Sequence, residues 1–536
     1  MFGLESEGMD RDFPLTLAQR DIYLDQLRLP GNPFYNVGGY LRLGRIDYSR
    51  ALRAHRNVVR DHEAFGIRIV HSAQGVRQRI AQERSTDLPM VDMSGSASPE
   101  KDAGEWVMQL FQKPLSIDNA EVFKAFLLKL SETEHWYVGL AHHLAIDGWG
   151  FANWGKAFAA CYAEVEAPAE CLSWRDVASG DQQYLLGPRY QQDKRYWSAQ
   201  YESLPDRFLR PRHGLESGDR SLRCSFSISA SEFDSVKDLA RALDVSSAQV
   251  ILAAIVACLG VGYRHRDIVV GLPVHGRIGA AQKSSIGIFA GVNPIRLIRK
   301  DGQSFAEFVR YIADRQRASF RHRRYPLGDI VRDLGLSGLG GQLYDIGFSY
   351  LRVDAELIVE GASSRLVYVS NGHEKTPLMT TVWDGGQEDD VEFTLDCNES
   401  FFTAVEVDLL VKRFRHVLKL VLQSPDIELC PADVLPADER EQVLEGFNAT
   451  TADYPRDALI HELFEAQAVA HPEAEAVVYE DQRLSYGELN ARANQVAHYL
   501  LSQGVKPDDR VAICVERSLE LVVGLLGILK AGGAYV

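Results

Sequence analysis

Apolar positions recur along the whole 536-residue chain, and their spacing predicts alternating helices and strands. Leu15 to Leu27 reads as a helix that stops before the breaker cluster Pro30-Gly31-Asn32-Pro33. Tyr48 to Glu63 reads as a second helix and Phe65 to Val70 as a strand. Val122–Leu130 and Trp136–Ala141 read as two strands of one sheet. From Trp149 to Glu166, the residues Phe151, Trp154, Phe158 and Tyr162 recur at helical spacing and predict one buried face. A second α/β block follows, with an apolar helix over Val250–Leu259 and a buried strand over Asp267–Val274. Gly335 to Gly341 reads as a Gly-rich loop without the Gly-Lys-Ser/Thr ending of a phosphate loop. Pro431, Pro436, Asn448-Ala-Thr-Thr451 and Pro455 mark a linker, and a fresh amphipathic pattern starts at Leu459.

The length calls for several domains. We divide the chain into 1–175, 176–435, a linker over 436–458 and a last piece over 459–536. With 58 basic and 74 acidic residues the net charge is −16, which argues against a nucleic-acid binder or a basic membrane-surface protein. Seven scattered cysteines without a C-x-x-C pair argue against a disulfide framework and a zinc site, and for a reducing compartment. The opening residues lack the pattern of a signal peptide, and the apolar stretch Leu521–Leu529 is far shorter than a bilayer span. The expectation is a cytoplasmic protein with no membrane, nucleic-acid or metal partner.

The segment richest in chemistry is Trp136-Tyr-Val-Gly-Leu-Ala-His-His-Leu-Ala-Ile-Asp-Gly-Trp-Gly150. If the strand persists, His142 and His143 point to opposite faces, one into packing and one into a cavity. Asp147-Gly148 then makes a turn into the helix. A His-His pair alone is ordinary core material. Followed after three residues by Asp-Gly, it resembles the signature of condensation domains of nonribosomal peptide synthetases, in the chloramphenicol-acetyltransferase-like superfamily. Further strings resemble other motifs of that family: Ala18-Gln19 (with Arg20 one place early), Arg60 to Arg68, Gly271 to Arg277, Ile286 to Asn293, and Tyr325-Pro326-Leu327. Together they cover roughly residues 12 to 430.

The resemblance implies an α/β fold of two chloramphenicol-acetyltransferase-like lobes meeting in a V-shaped pseudodimer, with the motif at the junction. It implies that His143 serves the joining of an amine to a thioester carbonyl, as a base or as a positioner; the residues leave both open. His142, Asp147, Gly148 and Arg277 are the implied structural members, with a salt bridge from Asp147 to Arg277. His62 and His275 fall in matching motifs as structural residues. Ser349 stands where the family often has Asn, and carries no expected role.

Leu484 to Leu489 and Leu529 to Val536 resemble the first two motifs of an adenylation domain, with a helix over Asn490–Leu500 between them. The later ATP-handling residues are missing, so this piece is expected not to activate an amino acid. This order of domains disfavours an epimerization domain, and it implies an adenylation domain in cis in the parent protein.

Phe34 to Tyr40, His62 to Arg68 and Asp147 to Phe151 resemble the starter, lipoinitiating subclass. About a dozen residues precede the first motif, which suggests a donor arriving in trans. The implied donor is an acyl group on coenzyme A or an acyl carrier protein. The acceptor is an aminoacyl thioester on the phosphopantetheine of a downstream peptidyl carrier protein, and no cofactor is bound covalently. The alternatives are an elongating domain served by a separate upstream synthetase, or a non-catalytic recruitment module. A plant-type acyltransferase would need a separate Asp-Phe-Gly-Trp-Gly segment, which is absent. The basic run Arg315 to Arg324 is a candidate contact for coenzyme A phosphates or an acidic carrier helix, or a solvated helix face.

Overall fold

The computed structural model describes residues 12–73, 75–165, 172–212, 218–336, 342–352, 357–359, 362–385 and 390–536. Most of the Gly-rich stretch 335–341, Cys171 and the end of the helix expected to reach Glu166 lie outside the described residues. The chain forms two compact units, Met1–Arg440 and Glu441–Val536. The break falls within the stretch 436–458, and on its near side Arg413 Nε donates to Glu439 Oε2 at 2.9 Å.

The first unit is built on two sheets. One has five strands in the order Leu366–Tyr368, Asn36–Leu43, His135–His142, Phe123–Lys129, Met90–Asp92. Neighbours are antiparallel except the last pair. The other has six strands in the order Ser221–Ile228, Val391–Asn398, Leu378–Asp384, Ile346–Arg352, Asp267–Val274, Gly291–Ile298, parallel at its centre and antiparallel at its edges. The strand Leu366–Tyr368 comes from the second half of the unit but pairs in the first sheet. The two halves are thus stitched together at the backbone. Position 175 lies in the first turn of the helix Trp174–Leu186, so the chain is helical where it leaves the first half.

Each sheet has its own apolar core. Behind the first, the helices Tyr48–Asp61 and Gly148–Tyr162 bury Val58, Val59, Phe151, Trp154, Phe158 and Tyr162. Gly139, on the strand His135–His142, leaves room for Trp154: a Cβ there would lie 2.8 Å from its ring. The second core is organised by Ser247–Gly262, which is apolar on all sides and buried from Val250 to Val261. Such a helix needs cover all round, and Ala230–Leu243, Phe305–Phe320 and Ala404–Gln423 contribute to it. Ile286 and Ile288, from the second half, pack into the first core.

Several expected boundaries move. The helix from Tyr48 ends at Asp61 because His62 is extended (φ −120°, ψ 117°). A 3-10 turn, Glu63–Gly66, follows, so the next strand starts at Ile67 rather than Phe65. The helix after Asp147 ends at Tyr162, where Ala163 caps it and Glu164 takes a left-handed backbone (φ 56°). Among the described residues no single helix is long and apolar enough to cross a membrane.

The second unit holds the helix Ile460–Ala470, the hairpin Glu475–Tyr479 with Gln482–Ser485, and the helices Tyr486–Ser502 and Leu519–Lys530. Arg510–Val511 and Ala534–Tyr535 pair in parallel. Leu484, Leu489, Leu519 and Val523 form its core.

Candidate active site

The strand carrying the two histidines ends at His142, so the alternation expected of a continuous strand does not reach His143. The chain turns there, with the N–H of Ala145 donating to the His142 carbonyl at 2.9 Å. His142 is 1% exposed. Its Nδ1 accepts from the Leu144 N–H at 3.1 Å, and Nε2 lies 3.3 Å from Gln26 Oε1. With Nδ1 accepting, Nε2 carries the proton, and the ring is neutral. Burial first, and then the neighbouring His143, push its pKa down to about 3.

His143 is half-buried. Its N–H donates to the Tyr35 carbonyl at 2.8 Å, and its ring meets the Tyr35 ring edge-on at 6.3 Å. Nδ1 is shut off from solvent and has no hydrogen-bond partner. Burial holds the imidazole pKa below its ordinary value, and the Asp147 charge pulls partly the other way. The ring is therefore neutral at pH 7, the form that can accept a proton.

Asp147 does not serve His143 as the acid of a Ser-His-Asp triad serves its histidine, because its oxygens are otherwise engaged. Oδ1 accepts from the Gly150 N–H at 2.7 Å, capping the helix, and from Arg277 Nη2 at 3.0 Å. Oδ2 accepts from Arg277 Nη1 at 3.1 Å and from the N–H groups of Phe289 and Ala290 at 2.9 and 3.1 Å. Arg277 Nη2 also donates to the carbonyls of Ser285 and Gly287. Both partners are 1% exposed. Five donors on one carboxylate offset the cost of burying it. Gly276 lets the chain deliver Arg277: at φ 56° it is left-handed, and a Cβ would meet the Phe289 carbonyl at 2.0 Å. Gly148 opens the helix, is itself exposed, and gives its carbonyl to the Tyr368 hydroxyl at 3.2 Å.

The structure thus brings His142, His143, Asp147, Gly148 and Arg277 together where the two halves of the unit meet. His275 is next door: its Nδ1 accepts from the Arg277 N–H at 3.1 Å, and its ring lies 5.3 Å from Trp149. His62 is apart, at the end of the helix Tyr48–Asp61. In the basic run, Arg317 pairs with Asp314, Arg323 lies over Phe320, and Arg324 pairs with Asp181. Arg317 and Arg321 also line an open cavity with Ser246, Gln249, Gln316 and Phe320.

The contacts of the shell around the imidazoles are not legible in the sequence, although Gln19 falls in a string that resembles the family's opening motif. Gln19 Nε2 donates to the Leu144 carbonyl at 3.1 Å, and Gln26 reaches His142. Tyr35, noted only as part of a longer string, touches both rings. Lys375 stands in no motif. No local pattern gives the contacts of these residues, which span more than a hundred positions.

The Condensation domain family matches residues 9–444, and the AMP-binding enzyme family matches residues 464–536. Tyrocidine synthase 3 of Brevibacillus parabrevis is 28% identical over 98% of the chain, which spans 8% of that protein's length. The crystal structure of the starter condensation domain of rhizomide synthetase is 25% identical, with a TM-score of 0.66, over 77% of this chain and 97% of that one. A variant of that domain in complex with C8-CoA is 24% identical, with a TM-score of 0.73, over 81% of this chain and 99% of that one. Those likenesses match the two-lobed, chloramphenicol-acetyltransferase-like arrangement of the first unit. The chain belongs to the condensation-domain family of nonribosomal peptide synthetases, and continues into the first part of an AMP-binding domain.

Proposed function

We propose that this chain is a starter condensation domain, joining an acyl group to the amino group of a carrier-bound aminoacyl thioester. The observation that carries the reading is the neutral, half-buried imidazole of His143, held by its N–H to the Tyr35 carbonyl beside a braced loop. The amine nitrogen attacks the thioester carbonyl carbon. As the C–N bond forms, the amine proton passes to the imidazole; as the C–S bond breaks, that proton goes to the leaving sulfur. The imidazole ends neutral, and the product is an N-acylated aminoacyl thioester still on its carrier. The chain supplies alignment and a proton acceptor, both of which raise the rate.

The starter assignment is supported by the strings Phe34–Tyr40, His62–Arg68 and Asp147–Phe151, and by the likeness to a starter domain captured with C8-CoA. We propose that the donor arrives on coenzyme A or an acyl carrier protein, and the acceptor on the phosphopantetheine of a downstream peptidyl carrier protein. An adenylation domain in cis is proposed to load that carrier. We assign His143 the catalytic role, with His142, Asp147, Gly148 and Arg277 as the frame that holds its loop. Scattered cysteines, free wherever they are described, support a reducing compartment, the cytoplasm.

The test incubates the purified chain with aminoacyl-loaded carrier protein and a panel of acyl-coenzyme A, acyl carrier protein and peptidyl carrier donors, read by intact mass. The starter reading expects acyl transfer to the aminoacyl carrier. Transfer from peptidyl carriers alone makes the domain an elongating one, and no transfer from any donor favours a recruitment module. His143→Ala is expected to lower product formation at least a hundredfold, of the order of one general base, with an unchanged unfolding transition. Undiminished turnover would assign the chemistry to another group.

A further inference from the structure

Tyr35 is the residue against which both imidazoles rest, and its own support is weak. It lies in the 3-10 turn Pro33–Tyr35, three residues long, and such turns have poor internal hydrogen bonding. The turn is positioned instead from outside. The Tyr35 hydroxyl donates to Asp25 Oδ2 at 2.5 Å. Lys375 Nζ donates to the same oxygen, and stands 4.7 Å over the Phe34 ring and 5.4 Å over that of Tyr35. Asn371 Nδ2 donates to the carbonyls of Phe34 and Asn36 at 2.7 and 3.1 Å. Asp25 belongs to the helix Leu17–Gln26, whereas Asn371 and Lys375 belong to the segment between the crossing strand Leu366–Tyr368 and the second sheet. The support of Tyr35 therefore closes from both halves of the unit.

We propose that Lys375, acting through Asp25 and Tyr35, is a positioning residue that seats the His143 imidazole when the two halves are together. The ammonium neutralises Asp25 and clamps two aromatic rings by cation–π attraction. Asp25 fixes the Tyr35 hydroxyl, and the Tyr35 ring and carbonyl fix His143. Movement of the segment carrying Lys375 loosens the ring packed edge-on against the imidazole, whose Nδ1 is shut off from solvent. The inference deepens the proposed function and rests on it for its kinetic readout alone.

The test compares the parent chain with Lys375→Met, Lys375→Arg and Tyr35→Phe. Lys375→Met is expected to lower kcat about tenfold, of the order expected from a small misplacement, with KM for both thioesters within about twofold. Water reaching the imidazole raises its pKa, so the acid limb of the kcat–pH profile moves up. Lys375→Arg keeps a cation over the rings and restores most of kcat. Tyr35→Phe, which keeps the ring and loses the tether to Asp25, moves the limb in the same direction, and adding Lys375→Met to it costs little more. A loss confined to KM, or an unmoved acid limb in the folded Lys375→Met protein, overturns the proposal. Titration of the His143 ring by NMR in histidine-labelled protein, assigned with His143→Gln, needs no turnover. If the parent forms no amide, the proposed function falls, yet a His143 pKa raised in Lys375→Met still supports the positioning role, and an unchanged one overturns it.

Discussion

Removing the Asp147 carboxylate is the sharpest test of the frame around His143. In Asp147→Ala the Arg277 guanidinium stays buried with no carboxylate, keeping the carbonyls of Ser285 and Gly287 and the face of the Phe289 ring. An uncompensated charge of that kind costs about 3–5 kcal/mol. The N–H groups of Gly150, Phe289 and Ala290 lose their acceptor as well, at roughly 1 kcal/mol each. The total, about 6–8 kcal/mol, approaches the whole stability of an ordinary domain. All seven tryptophans lie at or before Trp383, so tryptophan fluorescence during urea unfolding follows the first unit alone. The decisive comparison is the cycle with Arg277→Met, which removes the stranded charge. The double variant is expected to recover about 2 kcal/mol or more relative to the sum of the single ones. Additivity within about 0.5 kcal/mol would mean that the two groups do not stabilise one another, and the bridge would not be what holds the loop.

Asp21 tests the pH dependence. Burial raises its carboxyl pKa to about 6, although the Gly328 N–H and Arg20 oppose the shift. Between about 4, where the unfolded carboxyl ionises, and about 6, the folded state holds the extra proton, so this group's contribution falls as pH rises and is flat above. Asp21→Asn is expected to remove that slope and to be more stable than the parent above pH 6, as read by urea unfolding at pH 4.5, 6 and 7.5. Equal pH slopes in the two proteins would refute the burial argument. Gly139→Ala places a Cβ 2.8 Å from the Trp154 ring and 3.1 Å from Phe151. Overpacking of this kind costs about 1–3 kcal/mol, and an unfolding midpoint equal to the parent's would show that the rings yield freely.

Within the histidine segment the periodic signals were strong enough to read. The apolar run into His142, the Asp-Gly turn and the aromatic spacing of Phe151, Trp154, Phe158 and Tyr162 each follow from neighbours a few residues apart. The helix start is equally local, because Asp147 caps Gly150 three positions on. Where the reading slipped, a local backbone choice overrode the pattern: the extended His62 ended one helix, and the cap at Ala163 with left-handed Glu164 ended another at Tyr162. Most strands of the second sheet went unread. In Leu378–Asp384 burial alternates, but Thr380 and Asp384 share the buried face while Met379 and Trp383 lie on the other, and Val391–Asn398 is buried at all but one position, so neither strand shows an apolar alternation along the chain.

The sequence by itself determined the family, the order of condensation and AMP-binding segments, and the residues of the motif, because each is written in short strings whose chemistry depends on near neighbours. Only the tertiary structure decided what surrounds the imidazoles. Asp147 meets Arg277 across 130 positions, a bridge expected only through the family resemblance, and Asp25 meets Lys375 across 350, which no motif implied. Pairings at that separation are selected by burial, where a charge without a partner is costly, and no periodicity along the chain encodes which partner it will be.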